Sequence, residues 1–274
     1  MNKIVSNLQL NATTIKIIAI ILMVFDHIHQ MFIPMNPPMW FTWLGRPVFP
    51  MFLFVMAESF HYTHSRKKFL SRLLLGAWFM IIFNAILSTV LRNPNNNVNL
   101  INNAFMTFFV AGLYMLFWDM LVIGIKERNV KKIIVAILLC FVPVLTMVPG
   151  YLLVRSSLIQ VVPFWVFRVI LTMCMMLPNV LIIEGGYAMF LLGLLFYILR
   201  KWRWAQIIVL IALSALVFIM SEGSNIQWLM VFAVIPMLLY DGEKGFGIKR
   251  FFYIFYPAHI YLLYIAATLI ATVP

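Results

Sequence analysis

The sequence predicts an all-α fold, a polytopic bundle of about ten membrane-spanning helices, with nine to eleven as the range. Of the 274 residues, 64% are hydrophobic and only 10% are charged. Apolar runs that approach or exceed the roughly 20 residues a helix needs to cross a bilayer recur from Ile15 to Ala271. A transmembrane barrel would instead show short segments of alternating hydrophobicity. The longest polar stretch is the asparagine-rich loop from Arg92 to Asn103, so we expect one membrane domain over residues 1–274.

The apolar runs define the candidate spans. In chain order they are Ile15–Phe32, Trp40–Phe60, Phe69–Leu91, Ala104–Ile125, Ile133–Val148, Leu158–Ile183, Gly186–Leu199, Trp204–Met220, Ile226–Tyr240 and Phe251–Ala271. The first run is too long for a cleaved signal peptide and lacks a small-residue cleavage site.

Basic residues between these runs predict the orientation, because loops rich in lysine and arginine stay in the cytoplasm. The clusters are Arg66, Lys67, Lys68 and Arg72; Lys126, Arg128, Lys131 and Lys132; Arg200, Lys201 and Arg203; and Lys244, Lys249 and Arg250. The N-terminus is therefore expected inside and the asparagine-rich loop outside. Three spans separate the second cluster from the third, where an even number is required. The stretch Tyr151–Ile183 must hold either one more crossing or a re-entrant piece near Pro163.

The net charge of +12 has a membrane explanation. The cations lie between apolar runs, where they orient helices and face anionic lipid, so nucleic-acid binding is excluded. Cys140 and Cys174 lie within apolar runs and are interpreted as packing residues. No metal site is predicted, and the Walker, Rossmann, HExxH and GxSxG motifs are absent from the sequence.

Asp26 and His27 lie deep inside the first apolar run. Inserting a titratable side chain into hydrocarbon costs at least about 2.5–3.5 kcal/mol, so a functional role for these residues is favoured over a packing role. Lys16 is eleven residues before His27, and at about 100° per residue the two share one helix face, about 16 Å apart along the axis. Taken alone, Lys16 is better explained as a snorkelling anchor. Because adjacent helical residues point about 100° apart, Asp26 is not expected to hold His27 directly.

Arg46 lies in the outer part of the second run and needs a carboxylate, a carbonyl or an anionic ligand. Asp26 is the expected carboxylate. A structural ion pair between the two residues and a ligand-binding role for Arg46 are equally supported. Pro47 and Pro50 are expected to break or kink this helix. The freed backbone groups are tolerated only against protein or a wet cavity.

His259 follows Pro257 near the middle of the last run, and we take it with Tyr256 as a substrate-binding candidate. The alternative is an aromatic-rich helix whose proline is bridged by neighbouring residues. Asn103 opens the fourth run and is a further substrate-binding candidate, with a structural part as its equal alternative.

Three blocks of sequence together resemble the TraX family of integral-membrane acyltransferases, named for a conjugative-pilin N-acetylase. They are IKIIAIILMVFDHIHQMF (Ile15–Phe32), LGRPVFPMFLFVMAESFHYTHSRKKFLSRL (Leu44–Leu73) and LYDGEKGFGIKRFFYIFYPAHIYLLY (Leu239–Tyr264). The family is distantly similar to the acyltransferase-3 group, which has an arginine, ten residues and a histidine in its first helix. Lys16 and His27 have this spacing, but lysine lacks the bidentate fork of arginine.

The resemblance implies transfer of an acetyl group from cytoplasmic acetyl-CoA to a peptide, pilin or envelope-glycan acceptor at the bacterial inner membrane. It implies a catalytic His27, acting either as a general base or as a transient acyl carrier. Asp26 is expected to orient or charge a neighbouring group, and Arg46 or backbone amides freed by Pro47 and Pro50 to stabilise the oxyanion. The CoA phosphates are expected at a group of cations. These are Lys16, Arg66, Lys67, Lys68 and Arg72.

Two other function classes compete with an enzyme. A transporter would use Asp26, Arg46, Arg168 and His259 as a substrate path, but it would often show paired repeats, and none is visible. A non-catalytic immunity or assembly partner would tolerate replacement of its intramembrane polar residues one at a time. We rank the enzyme first and the transporter second.

Overall fold

The structure is a computed structural model that describes residues 9–95, 97–180 and 183–272. Within these ranges the secondary structure is helical, apart from one isolated β-bridge between Leu10 and Tyr240. The chain divides into two compact units. The first comprises Met1–Ser59, Leu87–Leu100 and Leu195–Pro274, and the second comprises Phe60–Ile86 and Ile101–Leu194.

The α-helices are numbered here in chain order over the described residues. They are α1 Ala12–Met31, α2 Trp40–Gly45, α3 Val48–His61, α4 Arg66–Val90, α5 Ala104–Lys126, α6 Val130–Leu145, α7 Val148–Arg155, α8 Leu158–Val161, α9 Phe164–Met175, α10 Gly186–Ile198, α11 Arg203–Met220, α12 Val234–Leu239 and α13 Lys249–Thr272. Short 3₁₀ segments cover Ile33–Met35 and Ile226–Ala233.

Seven segments of the described chain are long and apolar enough to cross a membrane. They are Ala12–Met31, Trp40–His61, Arg66–Val90, Ala104–Lys126, Val130–Arg155, Arg203–Met220 and Arg250–Thr272. Three shorter apolar helices cover Phe164–Met175, Gly186–Ile198 and Ile226–Leu239. These ten segments confirm the predicted all-helical membrane fold. The expectation of a single domain over residues 1–274 stays a prediction.

Two predicted spans differ from the structure, since Ile226–Tyr240 begins as a 3₁₀ segment and Leu158–Ile183 is interrupted. The run Leu158–Ile183 is not a continuous helix, because α8 ends at Val161 and α9 begins only after Pro163. Proline lacks a backbone N–H and disfavours helical geometry in the residue before it. At about 1.5 Å per residue α9 is about 18 Å long, short of the roughly 30 Å hydrocarbon layer. The sequence allows either one more crossing or a re-entrant piece near Pro163 in this stretch, and the choice between the two stays a prediction.

In the first unit, α1 and α13 run parallel. The Lys16 ammonium lies 5.5 Å from the Phe252 ring centroid near their starts, and further along both helices His27 meets His259. Asn11 caps α1, since its Oδ1 accepts from Thr14 N at 2.9 Å. The two helices therefore begin at the same end of this unit.

The end of α12 and the loop that follows it form hydrogen bonds with the beginning of α1. Leu10 N donates to Leu239 O at 2.8 Å, and Ala12 N donates to Glu243 O at 2.8 Å. The Thr13 hydroxyl contacts the carbonyls of Lys244 and Phe246 at 2.9 and 2.8 Å. Among these groups, the Ala12 N–H at the start of α1 and the Leu239 carbonyl at the end of α12 would otherwise lack a partner within their own helices.

In the second unit, an ion pair and a close packing contact join α4 and α5. Arg66 Nη1 pairs with Asp119 Oδ2 at 2.5 Å. A Cβ added at Gly76 would lie 2.9 Å from the Phe105 ring, so a glycine here permits the close approach of the two helices. These contacts are at different heights on α4 and α5.

Candidate functional site

Two buried histidines of the first unit form a hydrogen-bonded pair. His27 Nδ1 lies 2.7 Å from His259 Nε2, and the ring centroids are 4.9 Å apart with planes inclined by 25°. The residues are 3% and 7% exposed. Tyr256, also buried, places its ring centroid 6.5 Å from that of His27 and 6.0 Å from that of His259. Two predicted substrate-binding residues thus lie against the predicted catalytic histidine.

The backbone carbonyl of Phe255 determines which ring nitrogens of the two histidines carry a proton. His259 Nδ1 lies 2.8 Å from Phe255 O, which can only accept, so this nitrogen carries the proton. With a neutral ring, His259 Nε2 is then an acceptor. The facing nitrogen, His27 Nδ1, must be the donor, and Nε2 of His27 holds the ring's lone pair. The pair therefore fixes the tautomer of His27 that a general base or nucleophile requires.

Asp26 and Arg46 form the ion pair that the sequence predicts. Asp26 Oδ1 accepts from Arg46 Nη2 at 2.7 Å, and the two side chains are 23% and 25% exposed. Arg46 also donates to the carbonyl and the hydroxyl of Thr42 at 3.0 and 2.9 Å, and to Gln227 Oε1 at 3.2 Å. These four bonds use four of the five N–H donors that a guanidinium offers. The observed contacts thus tie Arg46 into a protein network.

Backbone geometry brings this ion pair together. Helix α2 ends at Gly45 and α3 begins at Val48, so the predicted break falls at Arg46 and Pro47, while Pro50 lies inside α3. A Cβ at Gly45 would overlap the Asp26 side chain, so only glycine lets α2 approach α1 at this height. The break and the glycine together place Arg46 against Asp26.

The predicted cofactor cations occupy both units. Lys16 belongs to the first unit and contacts the Phe252 ring. In the second unit, Arg66 is engaged by Asp119 and lies 5.2 Å from the Phe60 ring, whereas Lys67, Lys68 and Arg72 are exposed. Their binding of a cofactor stays a prediction.

Asn103, the third predicted substrate-binding residue, belongs to the second unit and caps α5. Its Oδ1 accepts from Met106 N at 3.3 Å, and its own N–H donates to Glu184 Oε2 at 2.7 Å. Its Nδ2 donates to Ala77 O at 3.2 Å. The observed contacts are structural, and a substrate contact by Asn103 stays a prediction.

The family model described as TraX protein matches residues 11–267. The chain belongs to the TraX family. The matched range contains the histidine pair, the Asp26–Arg46 pair and all the predicted cofactor cations. Comparison with curated proteins finds no match, and comparison with solved structures finds none. The predicted likeness to the acyltransferase-3 group stays a prediction.

Two features of this TraX-family protein were not anticipated from its sequence. The first is the direct bond between His27 and His259, which joins residues 232 positions apart. A histidine in each of two apolar runs was the available signal, but nothing in the sequence pairs the runs. The second is Gln227, which carries part of the Arg46 network from the 3₁₀ segment after α11. A lone glutamine near a span end gave no usable signal.

Proposed function

We propose that this TraX-family protein is a membrane-embedded acyltransferase. It moves an acetyl group from cytoplasmic acetyl-CoA to an amine or hydroxyl of a peptide, pilin or envelope-glycan acceptor. It does so in the bacterial inner membrane with its N-terminus in the cytoplasm. The observation that carries the proposal is the buried His27–His259 pair, whose hydrogen bonds leave the lone pair of His27 on Nε2.

In the direct route, His27 Nε2 removes the proton of the acceptor amine or hydroxyl while that atom attacks the thioester carbonyl. A new bond from carbon to nitrogen or oxygen forms, and the carbonyl π electrons move onto oxygen. When the carbonyl re-forms, the carbon–sulfur bond breaks and the imidazolium returns its proton to the CoA sulfur. His259 Nε2 accepts from His27 Nδ1–H throughout, and this hydrogen bond stabilises the positive charge that develops on His27.

The second route uses the same nitrogen as a nucleophile. His27 Nε2 attacks the thioester carbonyl, the carbon–sulfur bond breaks and CoA leaves as its thiolate, so that an acetyl group rests on the ring. The acceptor then attacks this acetyl carbonyl, the bond from carbon to His27 Nε2 breaks, and the acceptor's proton passes to the CoA thiolate. Labelled acetyl trapped on His27 in the absence of acceptor supports this route. Transfer without a trapped label supports the direct one.

Charged groups supply the rest of the proposed machinery. Lys67, Lys68 and Arg72 are exposed in the cluster that we expect at the cytoplasmic surface, where CoA phosphates would meet them. We propose them with Lys16 and Arg66 as the cofactor cations, although Asp119 already neutralises part of the Arg66 charge. For the oxyanion, Arg46 retains one N–H beyond its four observed bonds, while Asp26 holds the guanidinium in place.

Replacement of His27 by alanine tests the proposal. We expect His27→Ala to lose transfer of labelled acetyl from acetyl-CoA by about 10²- to 10⁴-fold, the range for removal of a general base. His29→Ala is the matched control, because His29 lies on the same helix two residues later and is more exposed. Both variants should elute as folded protein. Transfer at the wild-type rate by His27→Ala removes His27 from the mechanism.

A further inference from the structure

The asparagine-rich loop and the end of α13 enclose a second polar site in the first unit. A cavity of about 110 Å³ lies between them. Two of the residues that line it are aliphatic, and the other six are polar: Ser88, Arg92, Asn93, Asn95, Asn99 and Tyr264. Arg92 and Asn99 are exposed, so the cavity reaches the surface. By the positive-inside rule this loop faces the outside.

Hydrogen bonds hold one wall of the cavity in a fixed shape. Asn93 is only 4% exposed, and its Nδ2 donates to Thr268 Oγ1 at 2.9 Å. Its backbone N–H donates to the Tyr264 hydroxyl at 3.2 Å, and that hydroxyl donates to Leu91 O at 2.9 Å. These bonds connect the loop to α13 at two successive turns. The hydrogen bonds therefore join this wall of the cavity directly to α13.

The lining provides donors and a positive charge. Asn95 Oδ1 accepts from Asn97 N at 2.9 Å, which leaves the Asn95 amide hydrogens for another partner. Arg92 has no carboxylate partner within the part of the chain that the structure describes. The residues lining the cavity include no aspartate or glutamate. A guanidinium beside amide donors without an acid is suited to an oxyanion, which it can bind in a bidentate manner.

The cavity volume limits what enters. The cavity of about 110 Å³ exceeds the roughly 10–15 Å³ that one water needs, so it has room for a group of several heavy atoms. A carboxylate with its adjoining carbon atom has this size, whereas drug-sized ligands need pockets of about 300 Å³ or more. The asparagine amides also match the donors and acceptors of a peptide backbone. These features favour the carboxylate of an acidic peptide over a sugar ring.

The position of Tyr264 connects the cavity with the histidine pair. Tyr264 lies five residues after His259 on α13, about 7.5 Å further along the helix axis. We propose that the cavity binds a carboxylate of an acidic peptide acceptor and so presents the acceptor to His27. This inference rests on the proposed acyltransferase function and names the acceptor class.

Anion binding tests the cavity independently of any acetyl transfer. Purified protein in maltoside detergent is titrated with acetate and with inorganic phosphate at constant ionic strength, and binding is read from thermal stability. We expect saturable binding that Arg92→Gln weakens about ten- to a hundredfold, the range for loss of charged hydrogen bonds. Arg92→Lys should lie between the two, and Arg155→Gln, another exposed arginine, should bind as the wild type. Equal binding by wild type and Arg92→Gln overturns the site.

Two further arms identify the source of the oxyanion. If phosphatidylglycerol added to the micelles competes with acetate more strongly than an acidic peptide does, the cavity is a lipid site and the acceptor assignment fails.

In the activity experiment, the wild-type protein is given two acceptor peptides that differ only in having an aspartate or an asparagine at one position. We expect a KM at least tenfold lower for the acidic peptide, and no such preference in Arg92→Gln. Equal KM values for the two peptides in the wild type contradict the acceptor assignment. Absence of transfer to both peptides, with anion binding retained, counts against the proposed function and leaves the anion site standing.

Discussion

The direction of the hydrogen bond between His27 and His259 predicts different activities for two substitutions at position 259. His259→Ala removes the acceptor for His27 Nδ1–H, so the His27 tautomer is no longer fixed. We expect kcat for acetyl transfer to fall about 10²- to 10⁴-fold with KM for acetyl-CoA unchanged. His259→Gln should recover part of the loss, because its Oε1 can accept the same bond. A KM effect alone, or equal rates for the two variants, would contradict a positioning part for His259.

The Asp26–Arg46 pair predicts a measurable coupling energy. Asp26→Asn and Arg46→Gln should each lower the free energy of unfolding by about 1.5–3 kcal/mol, the range for bonds to charged groups. In a double-mutant cycle the two losses should not add. The Glu127–Lys132 pair is the matched control, since its side chains are 49% and 46% exposed and such pairs contribute about 0–1 kcal/mol. Additive losses at Asp26 and Arg46 would show that the pair does not act as a unit.

At the scale of helices, Gly45 determines how closely α2 approaches α1. Gly45→Ala places a Cβ onto the Asp26 side chain, and we expect it to lower the free energy of unfolding by about 1–3 kcal/mol, as overpacking does. Gly247→Ala serves as its control, because no atom lies within 4 Å of the added Cβ. Both variants are compared in chemical unfolding from detergent. A Gly45→Ala protein as stable as the control would show that α2 shifts without cost.

The helices were largely predictable because length and hydropathy determine where a chain can cross a bilayer. Pro47 and Pro50 also predicted the break that falls at Arg46 and Pro47. The pairing of His27 with His259 was not predictable, since it depends on two distant helices packing in parallel. Asp26 and Arg46 lie on neighbouring helices joined by a short connection, so their contact was foreseen. Sequence pattern thus indicates local contacts better than contacts between distant segments.

At the scale of the whole chain, the parallel course of α1 and α13 limits the topology. Both helices begin at one end of their unit, so as spans they would cross the bilayer in the same direction, and we expect an odd total number of crossings. Nine crossings fit if only one of the two short helices α9 and α10 spans the bilayer. The bond from Asn93 to Thr268 places the end of α13 beside the asparagine-rich loop, and under this count both are expected at the outer face.

Single cysteines test this topology. In a background lacking Cys140 and Cys174, we expect Asn97→Cys and Thr272→Cys to react with an impermeant maleimide in intact cells. Ser65→Cys, beside the first basic cluster, should react only after permeabilisation, because that cluster is predicted to be cytoplasmic. The readout is a mass shift on a gel. Labelling of positions 97 and 272 from opposite sides would overturn the parallel arrangement of α1 and α13.

The low exposure of His27 has a consequence for side reactions. An imidazole that is 3% exposed is shielded from bulk water, the most abundant competing nucleophile in a cell. An activated thioester brought to this ring would therefore survive until the intended acceptor arrives, and hydrolysis would be slow. Under the proposed function, each CoA released should correspond to about one acetylated acceptor.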